Sequence, residues 1–138
     1  MKEAAVTSFL AGYGEAWDAI DVEAIVAHYA LPQIMVAGGR TTFIETEDEV
    51  RAGVETLCHL YDDKGVSKIE LSVESIEPLP DAAARAVARW RFTDEAGAEL
   101  LNYTVAYTIV EDDDGVLAIV AVDGDGQVDA HRAAGWSA

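Results

Sequence analysis

The N-terminal part of the chain places its large apolar side chains at helical spacing. At about 100° per residue they fall into a single stripe, which is formed by Val6, Phe9, Leu10, Tyr13, Trp17 and Ile20. Glu3, Glu15 and Asp18 fall outside this stripe. The pattern predicts an amphipathic helix. Because Gly12 and Gly14 weaken its intrinsic stability, packing against the rest of the protein must hold it in place.

A second helix is predicted to start after Asp21. An aspartate suits the N-cap position, and Glu23 in the first turn is favoured by the helix macrodipole. Its apolar stripe consists of Val22, Ile25, Val26 and Tyr29. Pro32 is expected to end this helix, because the residue before a proline is pushed out of the α region.

A capping box predicts the start of a third helix. In the sequence Thr46-Glu47-Asp48-Glu49, a threonine cap is followed three residues later by a glutamate. The helix is expected to run to about Asp62. Its apolar stripe consists of Val50, Val54, Leu57, Cys58 and Tyr61.

The remaining segments are rich in β-branched and aromatic residues and predict strands. A short strand pair over residues 33–37 and 41–44 is expected to turn at Gly38-Gly39-Arg40. Four longer strands follow, over residues 68–77, 84–93, 99–111 and 116–123. Because short turn sequences join them, these four strands are expected to form an antiparallel meander. Residues 124–138 are expected to form a loop or a short helix, and residues 1–138 a single domain.

Charge and composition narrow the classes of partner. The chain has 26 acidic and 9 basic residues, a formal charge of −17, which argues against a nucleic-acid partner and against a membrane partner. High acidity also suggests adaptation to a salt-rich cytoplasm. The single cysteine, Cys58, fits a reducing compartment, so we expect a cytoplasmic protein. Residues 4–14 are interpreted as mature structure and not as a signal peptide.

The order of these elements has a recognisable form. Two helices, a short strand pair, a helix and a long meander follow one another, with Trp17, Tyr29, the helix start at Asp21 and the late strands between Tyr103 and Val122 as local markers. This pattern resembles the nuclear transport factor 2-like superfamily, which includes ketosteroid isomerase and the SnoaL-like polyketide cyclases. The resemblance covers essentially the whole chain.

The resemblance implies a cystatin-like α+β fold. In such a fold a cone-shaped, strongly curved mixed or antiparallel sheet wraps round three helices from the N-terminal half. Cones of this kind often hold a small, mostly apolar ligand at their open end and commonly form homodimers through the outer sheet face. The superfamily contains enzymes and domains without chemistry, so the fold alone does not select a function.

The chain lacks the acids that ketosteroid isomerase-like chemistry requires. That reaction uses a carboxylate base and an oxyanion site with a tyrosine and a protonated aspartate. The family places the base late in the first short strand, where residues 34–38 contain no acid, and the oxyanion aspartate near residues 106–108, again without an acid. The sequence therefore argues against ketosteroid isomerase activity.

Two other residues are candidate catalytic acids or bases. Asp123 ends the last strand and would reach the cone rim if Leu117, Ile119 and Ala121 face inward; if the other parity faces inward, it is a solvated strand end. His131 lies in the tail, which could fold over the cone mouth. The ordinary interpretation of all three histidines, including His28 and His59, is a surface position. No metal site and no cofactor is predicted.

Aromatic residues are the most plentiful material for a pocket. The candidate ligand-binding residues are Tyr13, Trp17, Tyr29, Trp90, Tyr103 and Tyr107. Their ordinary role is core packing, but their hydroxyl and indole N–H groups can also serve as the few polar contacts of a ligand. Arg89 and Arg91 alternate with Trp90 and are expected on the outer sheet face, paired with acids such as Glu74 or in a dimer contact.

Three functional hypotheses remain open on the sequence. The first is a cone that binds a small apolar molecule. One version of this hypothesis gives the molecule a carbonyl group. The second is an acid/base enzyme of cyclase, dehydratase or isomerase type that uses Asp123 or His131. The third is a non-catalytic homodimeric interaction domain whose own aromatic residues fill the cone. A cavity below roughly 300 Å³ would favour the filled cone.

Overall fold

A computed structural model describes residues 1–136 of the chain. The helices are α1 (Glu3–Asp18), α2 (Val22–Val26), α3 (Glu47–Asp63) and α4 (Asp125–Ala133). The strands are β1 (Tyr29–Ala37), β2 (Arg40–Ile44), β3 (Lys68–Leu79), β4 (Ala83–Thr93), β5 (Glu99–Glu111) and β6 (Leu117–Asp123). None of the helices within residues 1–136 is both long enough and apolar enough to cross a bilayer.

The six strands form one curled sheet in the order β2-β1-β6-β5-β4-β3. The predicted antiparallel meander is confirmed, since β3, β4, β5 and β6 pair consecutively. β1 joins the meander through a parallel pairing with β6, which makes the sheet mixed. The expected α+β fold class is therefore present, with α1 packed across the inner face of the sheet.

Alternation along the strands separates an inner apolar face from an outer polar one. On β4 the side chains of Trp90 and Phe92 are buried, whereas Arg89 and Arg91 lie on the outer face. Arg89 forms the expected outer-face ion pair with Glu74, with Nε and Oε2 2.7 Å apart. The inner face of the sheet is the floor of the hydrophobic core.

A bulge in β6 breaks the simple alternation that the sequence suggested. The register with β5 shifts, so that Ile119 pairs with Ile109 whereas Ala121 pairs with Thr108. As a result both Ile119 and Val122 are buried, although they have opposite parity along the strand. The sequence offered two alternatives, in which either the odd-numbered or the even-numbered residues of β6 face inward. Neither holds for the whole strand, because the bulge changes which of the two sets faces inward partway along it.

The two predicted helix caps form. The Asp21 side chain accepts a hydrogen bond from the Ala24 N–H at 3.2 Å, and the Thr46 hydroxyl accepts one from the Glu49 N–H at 3.2 Å. The Thr46 hydroxyl also donates to the Glu49 carboxylate at 3.0 Å. Each cap satisfies a backbone donor in the first turn of its helix.

The prediction that the second helix extends to Tyr29 and stops at Pro32 is wrong. α2 ends at Val26, and both residues belong to β1. Pairing with β6 starts here, since the Ile119 N–H donates to the His28 carbonyl at 2.8 Å. Pro32 is tolerated because the β1–β6 register is irregular between Tyr29 and Ile34, so that no regular ladder bond is lost there.

Ile20 is not part of the core stripe of α1, contrary to the prediction. The helix ends at Asp18, and Ile20 adopts φ 53° in the turn that follows. Its side chain is 45% exposed. A positive φ is unusual for a β-branched residue, so the sharp corner between α1 and α2 overrides the apolar pattern at this position.

The tail forms a helix, α4, that docks against the sheet. The Asp125 carboxylate accepts a hydrogen bond from the Gly38 N–H at 2.8 Å, and the Gly124 N–H donates to the Val36 carbonyl at 2.7 Å. At Gly126 a Cβ atom would lie 2.5 Å from the Thr104 carbonyl oxygen. This close approach of helix and strand backbones is therefore possible only because residue 126 has no side chain.

We expect Gly126→Ala to destabilise the protein by about 1–3 kcal/mol, because α4 must move away from β5 to admit the methyl group. The matched control is Gly53→Ala in α3, where nothing lies within 4 Å of the added Cβ. That control should be stabilised by about 0.4–1 kcal/mol. Urea unfolding measures both changes. Equal effects of the two substitutions would contradict the close packing at Gly126.

Candidate functional site

The inner face of the sheet and the helices enclose a cavity of about 130 Å³. Its wall contains two groups of residues. The aromatic residues are Tyr13, Trp17, Tyr29, Tyr61, Trp90, Phe92, Tyr103 and Tyr107. The others are Met35, Ala37, Leu57, Val122, Gly124, Gln127 and Val128. No charged side chain lines this cavity within the part of the chain that the structure describes.

The wall holds all five tyrosines of the chain. The six aromatic residues selected from the sequence as ligand contacts all lie in it, although they come from α1, β1, β4 and β5. Tyr29 reaches the cavity from β1 and not from the predicted helix. That these residues contact a ligand stays a prediction.

Tyr13 is the centre of this aromatic wall. Its ring centroid lies 5.4–6.5 Å from five other rings, those of Trp17, His28, Tyr29, Trp90 and Tyr107. The contacts with Trp17, Tyr29, Trp90 and Tyr107 are edge-to-face, the arrangement that aromatic quadrupoles favour. Tyr13 thus ties α1 to three separate strands.

Most of the polar groups at the Tyr13 end of the cavity are paired with one another. The hydroxyl groups of Tyr13 and Tyr29 form a hydrogen bond. The Trp90 indole N–H donates to the Tyr107 hydroxyl at 2.8 Å. The Trp17 indole N–H is buried and makes no hydrogen bond of ordinary geometry among residues 1–136, but it interacts with the Tyr13 hydroxyl and offsets part of the rise in the Tyr13 pKa.

Burial keeps the tyrosines of the wall neutral. Desolvation raises the pKa of Tyr13, and it raises the pKa of Tyr29, Tyr103 and Tyr107 well above the ordinary value, because a phenolate loses its hydration in an apolar site. The pKa of Tyr61 is raised for the same reason. At neutral pH these hydroxyl groups are therefore hydrogen-bond donors and acceptors, and not bases.

His131 is buried, so the expectation of a surface histidine is wrong at this position. Its residue exposure is 5%. α4 carries it onto an aromatic surround formed by Tyr61 of α3, Tyr103 of β5 and Trp136. Its Nε2 atom lies 3.4 Å from the Tyr61 hydroxyl. His131 does not line the cavity itself but supports two tyrosines that do, and a catalytic role for it stays a prediction.

Asp123 is exposed and lies outside the cavity wall. Its carboxylate faces the start of α4, 3.4 Å from the Asp125 N–H. Because Val122 fills the inward position at this end of β6, Asp123 is the solvated strand end that the sequence offered as its second alternative. Its placement gives no support to a role as catalytic base.

The other two histidines also lie away from the cavity wall. His59 is exposed, as expected. His28 is half-buried, and its Nδ1 atom is 2.7 Å from the Ala24 carbonyl oxygen. Among residues 1–136 no group of three or more histidine, cysteine or acidic side chains is arranged to hold a metal ion.

Sequence reasoning found Tyr29 of β1 but missed Met35 and Ala37 of the same strand and the parts of the wall contributed by α3 and α4. Tyr61 was assigned to the apolar stripe of α3 but not to a pocket, although it follows Leu57 by one turn. Met35 and Ala37 have the same parity in the predicted strand over residues 33–37, but no local pattern indicates which face of that strand lies inward. Gln127 and Val128 gave no signal, because the position of α4 depends on contacts distant in sequence.

The order of helices and strands and the curled mixed sheet packed on α1 are those of the nuclear transport factor 2-like class of α+β proteins. Within this class, residues 2–125 match the model of one family, described as NTF2-like protein (DUF6841). The chain belongs to that family. A search of curated proteins found no match to the chain.

Solved structures share this fold at low sequence identity. An NTF2-like protein of unknown function from Shewanella oneidensis matches with a TM-score of 0.70 and 21% identity, over 89% of this chain and 98% of the other. A domain of unknown function with a cystatin-like fold from Nostoc punctiforme matches with a TM-score of 0.68 and 17% identity, over 88% of this chain and 74% of the other. A ketosteroid isomerase-like protein from Erwinia carotovora atroseptica matches with a TM-score of 0.65 and 14% identity, over 89% of this chain and 95% of the other. These similarities support the fold and no particular activity.

The burial of His131 predicts an acid-dependent loss of stability. Desolvation lowers the pKa of His131, so the unfolded chain binds this proton at a higher pH than the folded chain. The stability that neutral His131 provides is therefore complete above its ordinary pKa of about 6.5 and is lost as the pH falls through the lower native pKa. Tyr61 and Tyr103, the titratable groups that face it, are neutral throughout this range.

We expect His131→Gln to lose less stability than the wild type between pH 7.5 and pH 5, because residue 131 then no longer titrates. Urea unfolding at the two pH values measures the change in the free energy of unfolding. The carboxylates of the chain contribute equally to this change in both proteins. His59→Gln, at an exposed position, is the control and should behave like the wild type. An identical pH dependence of all three proteins would contradict the burial of His131.

Proposed function

We propose that the protein binds a small apolar molecule, about the size of one ring, in the aromatic cavity. The observation that carries this proposal is the composition of the wall: all five tyrosines of the chain lie in it, and no charged side chain from residues 1–136 does. Mostly apolar walls with a few hydrogen-bonding groups are typical of small-molecule sites. In a core that serves packing alone, tyrosine would be less suitable than phenylalanine, because its buried hydroxyl group requires a hydrogen-bond partner.

The volume of the cavity sets the size of the ligand. A value of about 130 Å³ is below the roughly 300–1,000 Å³ of sites for drug-sized molecules. It is close to the roughly 150 Å³ of an engineered apolar cavity that takes up benzene. The proposal is therefore restricted to single-ring compounds and does not extend to steroids or other large polycyclic molecules.

Acid/base catalysis receives less support than binding. Asp123 is exposed, and His131 is separated from the cavity by Tyr61 and Tyr103. The tyrosines themselves are too weakly acidic to act as bases at neutral pH, since burial raises the pKa of each. Their neutral hydroxyl groups remain suited to holding a polar atom of a bound molecule.

We expect toluene to bind the wild-type protein with a Kd of roughly 0.1–1 mM, from about 0.6–0.8 kcal/mol per heavy atom. Ala37→Phe should weaken this binding at least tenfold, because a ring at this half-buried position of the wall occupies the cavity. Ala52→Phe, on the exposed face of α3, is the control and should bind like the wild type. Ligand-observed NMR with each protein measures the affinities.

The proposal is overturned if toluene does not bind the wild type at its solubility limit. It is also overturned if Ala37→Phe and the wild type bind toluene equally, since the molecule would then occupy a different place.

The second candidate function is a homodimeric interaction domain with a filled cone. The cavity volume of about 130 Å³ favours it, since it lies below the roughly 300 Å³ at which sites for drug-sized ligands begin. An apolar patch on the outer sheet face also favours it. Ile34 of β1 pairs with Phe43 of β2, and Val36 lies two residues further along β1 on the same face. Phe43 is 62% exposed, and Ile34 and Val36 are each 38% exposed. Contiguous exposed apolar residues of this kind are typical of protein interfaces.

If this patch forms a homodimer interface, Phe43→Glu should weaken dimerisation by at least tenfold, because burial of a phenylalanine contributes about 1.5–3 kcal/mol and each copy supplies one. Val116→Glu is the control, since Val116 is 59% exposed in the turn between β5 and β6 and lies away from the patch. Sedimentation equilibrium gives the dissociation constants. A monomeric wild type, or equal constants for the two variants, would contradict the interface.

A further inference from the structure

Three helices end in the same backbone motif, and one of them has an unusual residue at its key position. The residue that leaves the helix has φ 77° at Gly65 after α3, φ 75° at Gly135 after α4 and φ 53° at Ile20 after α1. The bonds of a Schellman motif close each end; after α1, for example, the Asp21 N–H donates to the Ala16 carbonyl at 3.0 Å. Glycine is favoured at this position because a Cβ atom crowds the backbone in the left-handed conformation. Ile20 therefore occupies a glycine position.

The side chain of Ile20 is not required by the core. It is 45% exposed, and it is not part of the hydrophobic core formed within residues 1–136. A β-branched residue at positive φ is a true conformational outlier. Backbone strain of this kind is concentrated at functional sites, so an observed outlier directs attention to what its side chain contacts.

Ile20 forms part of the wall of a pocket of about 320 Å³. The pocket lies between the corner that joins α1 to α2 and one face of α3. Val22, Cys58 and Val66 complete its apolar surface. Within residues 1–136, Tyr61 is the one residue that this pocket shares with the aromatic cavity. Its volume falls within the roughly 300–1,000 Å³ of small-molecule sites, so the pocket can hold a larger molecule than the aromatic cavity can.

The charged residues of this pocket are acidic. Glu55 and Asp62 line it together with Cys58, from which they lie three and four residues away on the same face of α3. Both carboxylates are exposed, and neither has an ion-pair partner in the described part of the chain. Burial, and after it the charge of Glu55, raises the pKa of the Cys58 thiol. The field of this carboxylate therefore reaches the apolar surface.

The charges select the class of ligand. No lysine or arginine from residues 1–136 lines the pocket, and the formal charge of the chain is −17. An anion would be repelled at this position, whereas a cation would place its charge beside two carboxylates that have no other partner. The apolar wall requires in addition that the body of the ligand is apolar.

We propose that this pocket is a further small-molecule site, that it takes a small apolar cation such as an aromatic amine of two rings, and that Ile20 is its apolar anchor. Glu55 and Asp62 attract the ammonium group, and the ring system packs against Ile20 and the other apolar side chains of the wall. The inference does not rest on the proposed function, because the pocket and the class of ligand both differ from those of the aromatic cavity.

The test uses three probes that share a two-ring body. 1-Naphthylmethylamine is a cation, 1-naphthylmethanol is uncharged, and 1-naphthoate is an anion. We expect the amine to bind the wild type with a Kd of roughly 0.1–1 mM, about threefold to tenfold tighter than the alcohol, and the anion not to bind. Titrations followed by ¹H–¹⁵N NMR at pH 8, at which histidine side chains carry little charge, give the affinities. The shifted signals should belong to residues 20–22, 55–62 and 66.

Ile20→Gly separates a role in binding from a role in folding. The variant should bind the amine about fivefold more weakly, because the apolar contact is lost. Its melting temperature should rise by roughly 2–5 °C, because glycine adopts this conformation without strain. A purely structural role of Ile20 would not weaken binding in a protein that has become more stable. Val116→Gly, at a 59% exposed position without positive φ, is the control and should change neither quantity in this direction.

The contribution of charge is tested by removing both acids. Glu55→Gln with Asp62→Asn should bind the amine and the alcohol equally. The matched control is Glu95→Gln with Asp113→Asn, which changes the net charge by the same amount at exposed positions away from the pocket. That control should keep the preference for the amine.

Alkylation of the single cysteine reports the same site independently. Cys58 lies in the wall of the pocket, so the bound amine should slow its reaction with iodoacetamide in proportion to occupancy.

Four results would overturn the proposal. They are the absence of amine binding to the wild type at millimolar concentration, equal binding of the amine and 1-naphthoate, unchanged affinity in Ile20→Gly, and signal shifts confined to other residues. Each of these leaves binding in the aromatic cavity untouched, because that proposal is tested with toluene and Ala37→Phe.

Discussion

The packing of aromatic rings around Tyr13 is the interaction on which the rest of the structure depends. α1 crosses the inner face of the sheet, and Tyr13 meets rings from α1 itself, from the start of β1 and from the middle of β4 and β5. Each edge-to-face pair of this kind contributes about 0.5–1.5 kcal/mol beyond its buried area. A large part of the core therefore depends on one side chain. The parallel pairing of β1 with β6 reinforces this arrangement, because it fixes Tyr29 beside Tyr13.

The aromatic packing leaves a cavity of about 130 Å³ between the helices and the inner face of the sheet. The wall is closed on the far side by α4, whose approach requires Gly126. Because α4 also carries His131 beneath Tyr61 and Tyr103, the helix that completes the cavity also fixes two of its tyrosines in place. The shape of the cavity therefore depends on how α4 docks against the sheet.

Sequence reasoning recovered the features that local patterns determine. The caps at Asp21 and Thr46, the strand meander and the inward parity of β4 and β5 all follow from residues close together in the chain. It failed where distant contacts decide. Tyr29 was expected in a helix that ends at Pro32, but both residues lie in β1 because this strand pairs with β6. The bulge in β6 also places residues of both parities on the inner face. His131 was expected at the surface for the same reason, since a histidine among polar tail residues gives no local sign of the aromatic surround that buries it. Six aromatic residues of the candidate site were nevertheless found, because their strand parity and helical spacing are local properties.

The distribution of charge limits the chemistry of the site more strongly than the fold does. The chain has 26 acidic residues, and none of them lines the cavity. The basic side chains on β4 are used on the outer face, where Arg89 and Arg91 pair with Glu74, Glu70 and Glu99. A reaction in the cavity would thus have to proceed without a charged side chain, and every tyrosine there is held neutral by burial. Neutral donors in an apolar wall stabilise a bound polar atom without transferring a proton to or from it. Recognition of an uncharged molecule is therefore the proposed function most consistent with these side chains.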